Sequence, residues 1–165
     1  MKNWLLFLLI TLFLSCNSTE AQRDTATSVN KKETFKIVKS DKEWKEILTK
    51  EQYYVLRQEG TEPPFSSPLN NVKEAGIFYC AACNTPLYET KHKFDSGTGW
   101  PSFDQGIKGN IGYDTDRKLG YIRTELVCGT CGGHLGHMFE DGPSHTTGKR
   151  HCINGDALLF KPTTK

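Results

Sequence analysis

The stretch CGTCGGHLGHMFEDGPSHTTGKRHCING, residues 128–155, decides how the rest of the chain is read. It opens on Cys128 and Cys131, the spacing at which two thiolates on one turn converge on a single metal ion. Gly132 and Gly133 follow, as a tight turn around a thiolate-bound ion requires. It closes on Cys152, which has no cysteine two residues away. Arg150, His151 and Asn154 surround it instead: a cation, a ring and an amide. That is the setting of a reactive thiolate.

Working outward, Cys80 and Cys83 repeat the paired spacing, with 44 residues between Cys83 and Cys128, and each pair stands at the end of an apolar segment. Four thiolates on two turns complete a tetrahedron with no open position, which makes the site structural and its binding energy a folding energy, on the order of 10 kcal/mol. A pair of disulfides or iron in the same thiolates are the rival readings. Nothing else in the sequence suggests electron transfer, so zinc is expected. His134 and His137 are surplus to such a site. They are either packed side chains or acid–base groups facing Cys152. An inert, buried Cys152 is the plain alternative, since an unperturbed thiol is only about 3% ionised at pH 7. Arg150 and nearby histidines would raise that fraction. The third feature is Asp95 to Phe103, where Gly97 and Gly99 allow a sharp turn and Pro101 fixes the backbone that displays Trp100. An aromatic held on a rigid loop suits a methyl or thioether, though core is the more common fate of a tryptophan.

The chain has 165 residues, 21 basic and 19 acidic, with formal net charge +2. The charges are interspersed, which excludes a nucleic-acid stripe. Residues 1–15 read as an export signal: Lys2, then an apolar run from Trp4 to Leu14, too short to span a bilayer. Leu12-Phe13-Leu14-Ser15 before Cys16 resembles a bacterial lipobox, which makes Cys16 a lipid attachment point. Residues 16–34 are polar and without aromatics, a tether that cannot bury a core. One domain is expected over 35–165. Ser40 with Glu43 and Thr49 with Gln52 are capping boxes for two short helices. Trp44, Ile47 and Leu48 share a face of the first, Leu48 staples onto Tyr53, and the second ends at Gly60. After Pro63-Pro64 the signals are strands and turns, including 77–79, 121–127 and 157–160.

Four motifs now stand in order: CAAC at 80–83, SGTGWPSF at 96–103, CGTCGGHLGHMFEDGP at 128–143 and TGKRHCIN at 147–154. With the two leading helices and the TEPPF segment, they resemble the peptide-methionine (R)-S-oxide reductases from about Thr34 to Phe160. The resemblance implies a mainly β (α+β) fold, two small antiparallel sheets packed like a tent, with structural zinc on Cys80, Cys83, Cys128 and Cys131 opposite the active site. It implies Cys152 as nucleophile and His134, His137 and Asn154 as substrate and water partners. Arg150 becomes a thiolate stabiliser, Trp100 the wall for the substrate's methyl, and Phe103 a second substrate contact. It implies oxidised proteins as substrates and a thioredoxin-like or small-thiol reductant. With the leader, it points to a repair enzyme of the bacterial cell envelope, facing the periplasm and held to the membrane by lipid. The chain departs from the family at His151, usually tyrosine or phenylalanine, which would alter the pocket's polarity. It also has Thr98 where many members place a resolving cysteine. A non-catalytic zinc-knuckle binding module is the competing class, but it has no use for Cys152. A zinc-water hydrolase needs an open metal position that four thiolates do not leave.

Overall fold

A computed structural model describes residues 35–163. The expected export signal, the lipid site at Cys16 and the tether lie outside the described residues. Two helices come first, α1 (Asp41–Ile47) and α2 (Lys50–Gln58). Both capping boxes form: Ser40 accepts from the Glu43 N–H and Thr49 from the Gln52 N–H, each answered by the return bond. Each cap stabilises its short helix by about 1 kcal/mol. Trp44 and Leu48 are buried, but Ile47 is exposed. The reason is length: α1 stops at Ile47 and Leu48 is already extended, so the two do not share a helical face. The second helix stops at Gln58, and Glu59, not Gly60, takes the left-handed position. Gly60 instead lets the Tyr54 ring lie against the chain, since a Cβ there would sit 2.3 Å from that ring and push it aside.

Nine strands follow in two antiparallel sheets: β1 (Gly76–Cys80), β2 (Pro86–Glu89), β3 (Lys93–Phe94), β4 (Ser102–Phe103), β5 (Ile111–Asp116), β6 (Arg123–Cys128), β7 (His134–Phe139), β8 (Arg150–Ile153) and β9 (Leu158–Pro162). The smaller sheet has the order β2-β1-β9 and the larger β3-β4-β8-β7-β6-β5. Their inner faces meet in one core. Phe103 of β4 stacks on Tyr88 of β2 at 4.2 Å and meets Phe78 of β1 edge-on at 5.0 Å. All three are fully buried, as are Leu87, Leu126, Leu135 and Ile153. Helix α2 covers this core with Val55 and Leu56.

Candidate active site

The two paired-cysteine turns are built alike. In each, the first cysteine ends a strand and its carbonyl accepts the N–H four residues on (Asn84 to Cys80, Gly132 to Cys128). That fourth residue is left-handed in both, Asn84 at φ 58° and Gly132 at φ 67°. Gly132 also has no room for a side chain, since the Phe35 ring lies 2.3 Å from where a Cβ would be. The four sulfurs lie within 4.8 Å of one another, with Cys80–Cys131 at 3.8 Å and Cys83–Cys128 at 3.5 Å. Disulfide sulfurs would be about 2.05 Å apart, whereas thiolates about 2.3 Å from a tetrahedral ion are about 3.8 Å apart. The cluster therefore fits a metal ion and joins β1 of the small sheet to β6 of the large one. Arg57 of α2 donates to the Cys131 carbonyl at 3.0 Å and to its sulfur at 3.1 Å, while its guanidinium lies 3.9 Å over Trp44. None of the four cysteines lines the pocket described next.

Cys152 sits on β8, in the middle of the large sheet. Across the ladder it pairs with Ser102 of β4 on one side and His137 of β7 on the other. Directly paired residues share a face, so Ser102, Cys152 and His137 point the same way. Alternation sends His151 and Ile153 the other way, into the core. His151 is 2% exposed; its Nδ1 lies 3.2 Å from the Tyr88 hydroxyl. It therefore does not face Cys152 or set the pocket's polarity, contrary to expectation. Register also relocates Phe103, which pairs with His151 and not with Cys152. It is an inter-sheet core residue rather than a substrate contact.

His134 and His137 are three apart, a spacing that would put them on opposite faces of a regular strand. The pairing of β6 with β7 jumps from Val127–His134 to Leu126–Gly136. Leu135 is the extra residue of a β-bulge, and the bulge restores both histidines to one side. Their rings stand 5.3 Å apart. His134 Nδ1 is 2.5 Å from Glu125 Oε1, and its Nε2 is buried without a protein partner. His137 Nε2 is 2.9 Å from Asp116 Oδ2, which also receives Arg123. That commits Nε2–H to the carboxylate and leaves Nδ1 as the nitrogen for the pocket. Asp116, Arg123 and Glu125 escaped the sequence reading; the only signal available was their polar side chains beside an apolar run.

The pocket itself is about 140 Å³, lined by Trp100, Phe139, Arg123, His137, Cys152 and Asn154 with Thr61 and Gly136. Clefts for cofactor-sized ligands are about 300–1,000 Å³, and about 150 Å³ holds a benzene-sized group. It is the size for the end of a side chain. Trp100 and Phe139 form its apolar wall. The loop carrying Trp100 is tied by Gly97 N–H to Asp95 and by a hydroxyl chain from Thr98 through Ser96 to Ser102. Gly99 has φ 95° and approaches Pro64 and the Phe65 backbone so closely that no Cβ would fit. The Asn154 amide is nearly spent: Oδ1 accepts the Glu62 N–H at 3.0 Å and Nδ2 donates to the Leu135 carbonyl at 3.0 Å. One N–H remains.

Electrostatics oppose one another at Cys152. Burial pushes the thiol above its ordinary value, while the Arg150 charge and hydrogen bonds from Thr98 and Arg150 pull it back. Burial dominates, so the resting group is a thiol and not the pre-formed thiolate its neighbours suggested. Arg150 is held for this task by a two-pronged bond to Asp141, 2.9 Å on each arm, with Phe139 beneath it. Burial also lowers His137 below its ordinary value, against the pull of Asp116. The Lys118 main-chain N–H, then His137 and Arg123, hold Asp116 at about 2 against its own burial. A neutral His137 and a protonated Cys152 thus stand opposite each other across the ladder.

Fold and site together define a small β-rich domain with a cysteine-bearing pocket and, apart from it, a four-cysteine cluster that fits a metal ion. The SelR domain matches residues 48–162. The chain belongs to that family, the methionine-R-sulfoxide reductases. It is 50% identical over 128 residues to the peptide methionine sulfoxide reductase MsrB of Agrobacterium fabrum, covering 77% of this chain and 94% of that one. It is 52% identical over 126 residues to the MsrB of Methanosarcina barkeri, covering 76% and 88%. With the human mitochondrial methionine-R-sulfoxide reductase B2 it shares 47% over 137 residues, covering 78% and 75%. Among solved structures, the Mis18 "Yippee-like" domain covers 56% of this chain and is itself covered in full, at a TM-score of 0.45 and 13% identity, too slight a likeness to bear on function.

Proposed function

We propose that this protein reduces R-methionine sulfoxide residues in oxidised proteins through a sulfenic acid on Cys152. The observation that carries the reading is one nucleophilic sulfur set between His137 and Ser102 in a pocket of side-chain size, with Trp100 and Phe139 as an apolar wall. The methyl of the sulfoxide packs on that wall, and the sulfoxide oxygen faces His137, with His134 behind it, and the remaining Asn154 N–H. Cys152 gives its proton to His137 Nδ1 and attacks the sulfur. The oxygen, protonated by His137, passes to Cys152. Methionine leaves, and the cysteine is left as Cys–SOH with the two electrons spent. A small thiol or thioredoxin-like protein then forms a mixed disulfide with release of water, and a second thiol restores Cys152. Thr98 cannot perform that step from within, because a hydroxyl forms no disulfide.

The metal is zinc, which these four thiolates suit and which supplies folding energy without entering the reaction. Arg57 would offset part of the cluster's negative charge. Lipid on Cys16 holds the enzyme to the cell envelope, a reading supported by the leader sequence alone. The decisive experiment is a stereoselective assay on R and S sulfoxides with wild type and Cys152→Ser. R-selective turnover lost in Cys152→Ser, with fold and metal retained, is expected. Turnover persisting in Cys152→Ser would remove the nucleophile assignment. Fatty-acid labelling of wild type but not Cys16→Ala checks the anchor.

A further inference from the structure

Glu62 belongs to the TEPPF segment, to which neither the sequence nor the mechanism assigns a task. It is 4% exposed, and no cation pairs with its carboxylate among the described residues. Both oxygens are spent on main-chain donors: Gly155 N–H and Asp156 N–H, each at 2.8 Å. Those two residues open the single turn that follows Asn154. The backbone of the same residue reaches the pocket from the other side. Its N–H donates to Asn154 Oδ1 at 3.0 Å, and its carbonyl accepts the Trp100 indole N–H at 3.1 Å.

We propose that Glu62 is a positioning residue that locks Trp100 and Asn154 into one geometry through its peptide groups while its carboxylate anchors it to the turn after β8. The proposal rests on the reductase reading, in which those two side chains hold the methyl and the oxygen of the sulfoxide. The chemistry explains why this residue is an acid. Two adjacent N–H donors need two acceptors, which a carboxylate supplies and a glutamine does not, since its NH₂ would face the Asp156 N–H. Burial raises the pKa of this carboxyl, and the two main-chain N–H bonds oppose that rise in place of a cation. The Asn154 amide has its orientation from this contact: turned over, it would set donor against donor at Glu62. Pro63 and Pro64 stiffen the exit of the segment, and Gly155 leaves the space the clamp occupies. A Cβ at Gly155 would stand 1.9 Å from Ser67 Oγ and 3.3 Å from Glu62 Oε1.

The test uses the full-length, metal-loaded protein carrying 5-fluorotryptophan, with the Trp100 resonance assigned by Trp100→Phe. Glu62→Ala, Glu62→Gln and Gly155→Ala are compared with wild type by fluorine spectra, metal content and steady-state rates on an R-sulfoxide substrate. The Trp100 resonance is expected to shift or broaden in all three while Trp44 stays in place. A displacement of about 1 Å costs about 100-fold in rate, so kcat/KM should fall by about that factor in Glu62→Ala. Glu62→Gln, which keeps one acceptor, should lose about tenfold. An unmoved Trp100 resonance with kcat/KM within about threefold of wild type in folded Glu62→Ala overturns the proposal. So does a joint shift of Trp44 and Trp100 with metal loss, or failure of both Glu62 variants to fold, because either marks a general strut. If wild type itself lacks R-sulfoxide reduction, the reductase reading fails, while the fluorine spectra still decide the clamp.

Discussion

His151 makes the stability of this domain sensitive to mild acid, and replacing it with phenylalanine should abolish that sensitivity. The ring is 2% exposed and sits in the inter-sheet core against Tyr88. Burial first, and the charge of Lys149 second, lower its pKa from 6.5 to about 4, with Asp104 pulling weakly the other way. Between those values the unfolded chain binds a proton that the folded one refuses, so stability falls as pH drops through that window. Integrating the shift gives a loss of about 2 kcal/mol at pH 5 and about 3 kcal/mol at pH 4 relative to pH 8. His151→Phe removes this loss. It also forfeits the bond to the Tyr88 hydroxyl, about 1 kcal/mol. At pH 8 the variant should therefore be equal to wild type or slightly weaker, and at pH 5 stronger. Urea unfolding of both metal-loaded proteins at pH 5, 6, 7 and 8 measures this directly. Protonation of the metal thiolates at low pH affects both proteins and cancels in the difference. A difference constant to within about 0.5 kcal/mol over that range would show that His151 is not buried neutral, and the argument would fail.

Phe103→Ala should destabilise the domain by about 4 kcal/mol, through its cavity and two lost ring contacts, while KM of the folded fraction changes little. A tenfold rise in KM with unchanged stability would return Phe103 to the substrate wall. Arg150→Met should shift the pH profile of Cys152 alkylation by iodoacetamide to higher pH and slow it at neutral pH, because the charge that opposes burial is gone. An unshifted profile would mean that Arg150 serves Asp141 alone. Arg57→Ala should lose metal to a chelator about 10- to 100-fold faster, with turnover per metal-loaded molecule preserved, because the outer hydrogen bond to Cys131 is removed. Equal release rates would refute a role for Arg57 at the cluster.

Local chemistry was readable along the chain because it depends on near neighbours. The capping boxes at Ser40 and Thr49, the two cysteine turns and the glycine-rich loop before Trp100 each involve residues within a few positions, and all stand where their spacing placed them. Even so, Ile47 and Gly60 show that a helix end one or two residues off changes what a side chain does. Which face each strand residue presents was not readable, because it depends on register with partners dozens of residues away. The pairing of β8 with β4 and β7 turned His151 and Phe103 away from Cys152. A single bulged residue, Leu135, brought His134 and His137 to one side. Asp116, Arg123, Glu125 and Glu62 carry no signature of their own, since a carboxylate or guanidinium becomes part of a site only when the fold buries it beside the right atom. The sequence determined which sulfurs would cluster, since that follows from spacing, and set Cys152 apart from them. Only the tertiary structure decided how the Cys152 thiol is tuned, because burial and charge act through space.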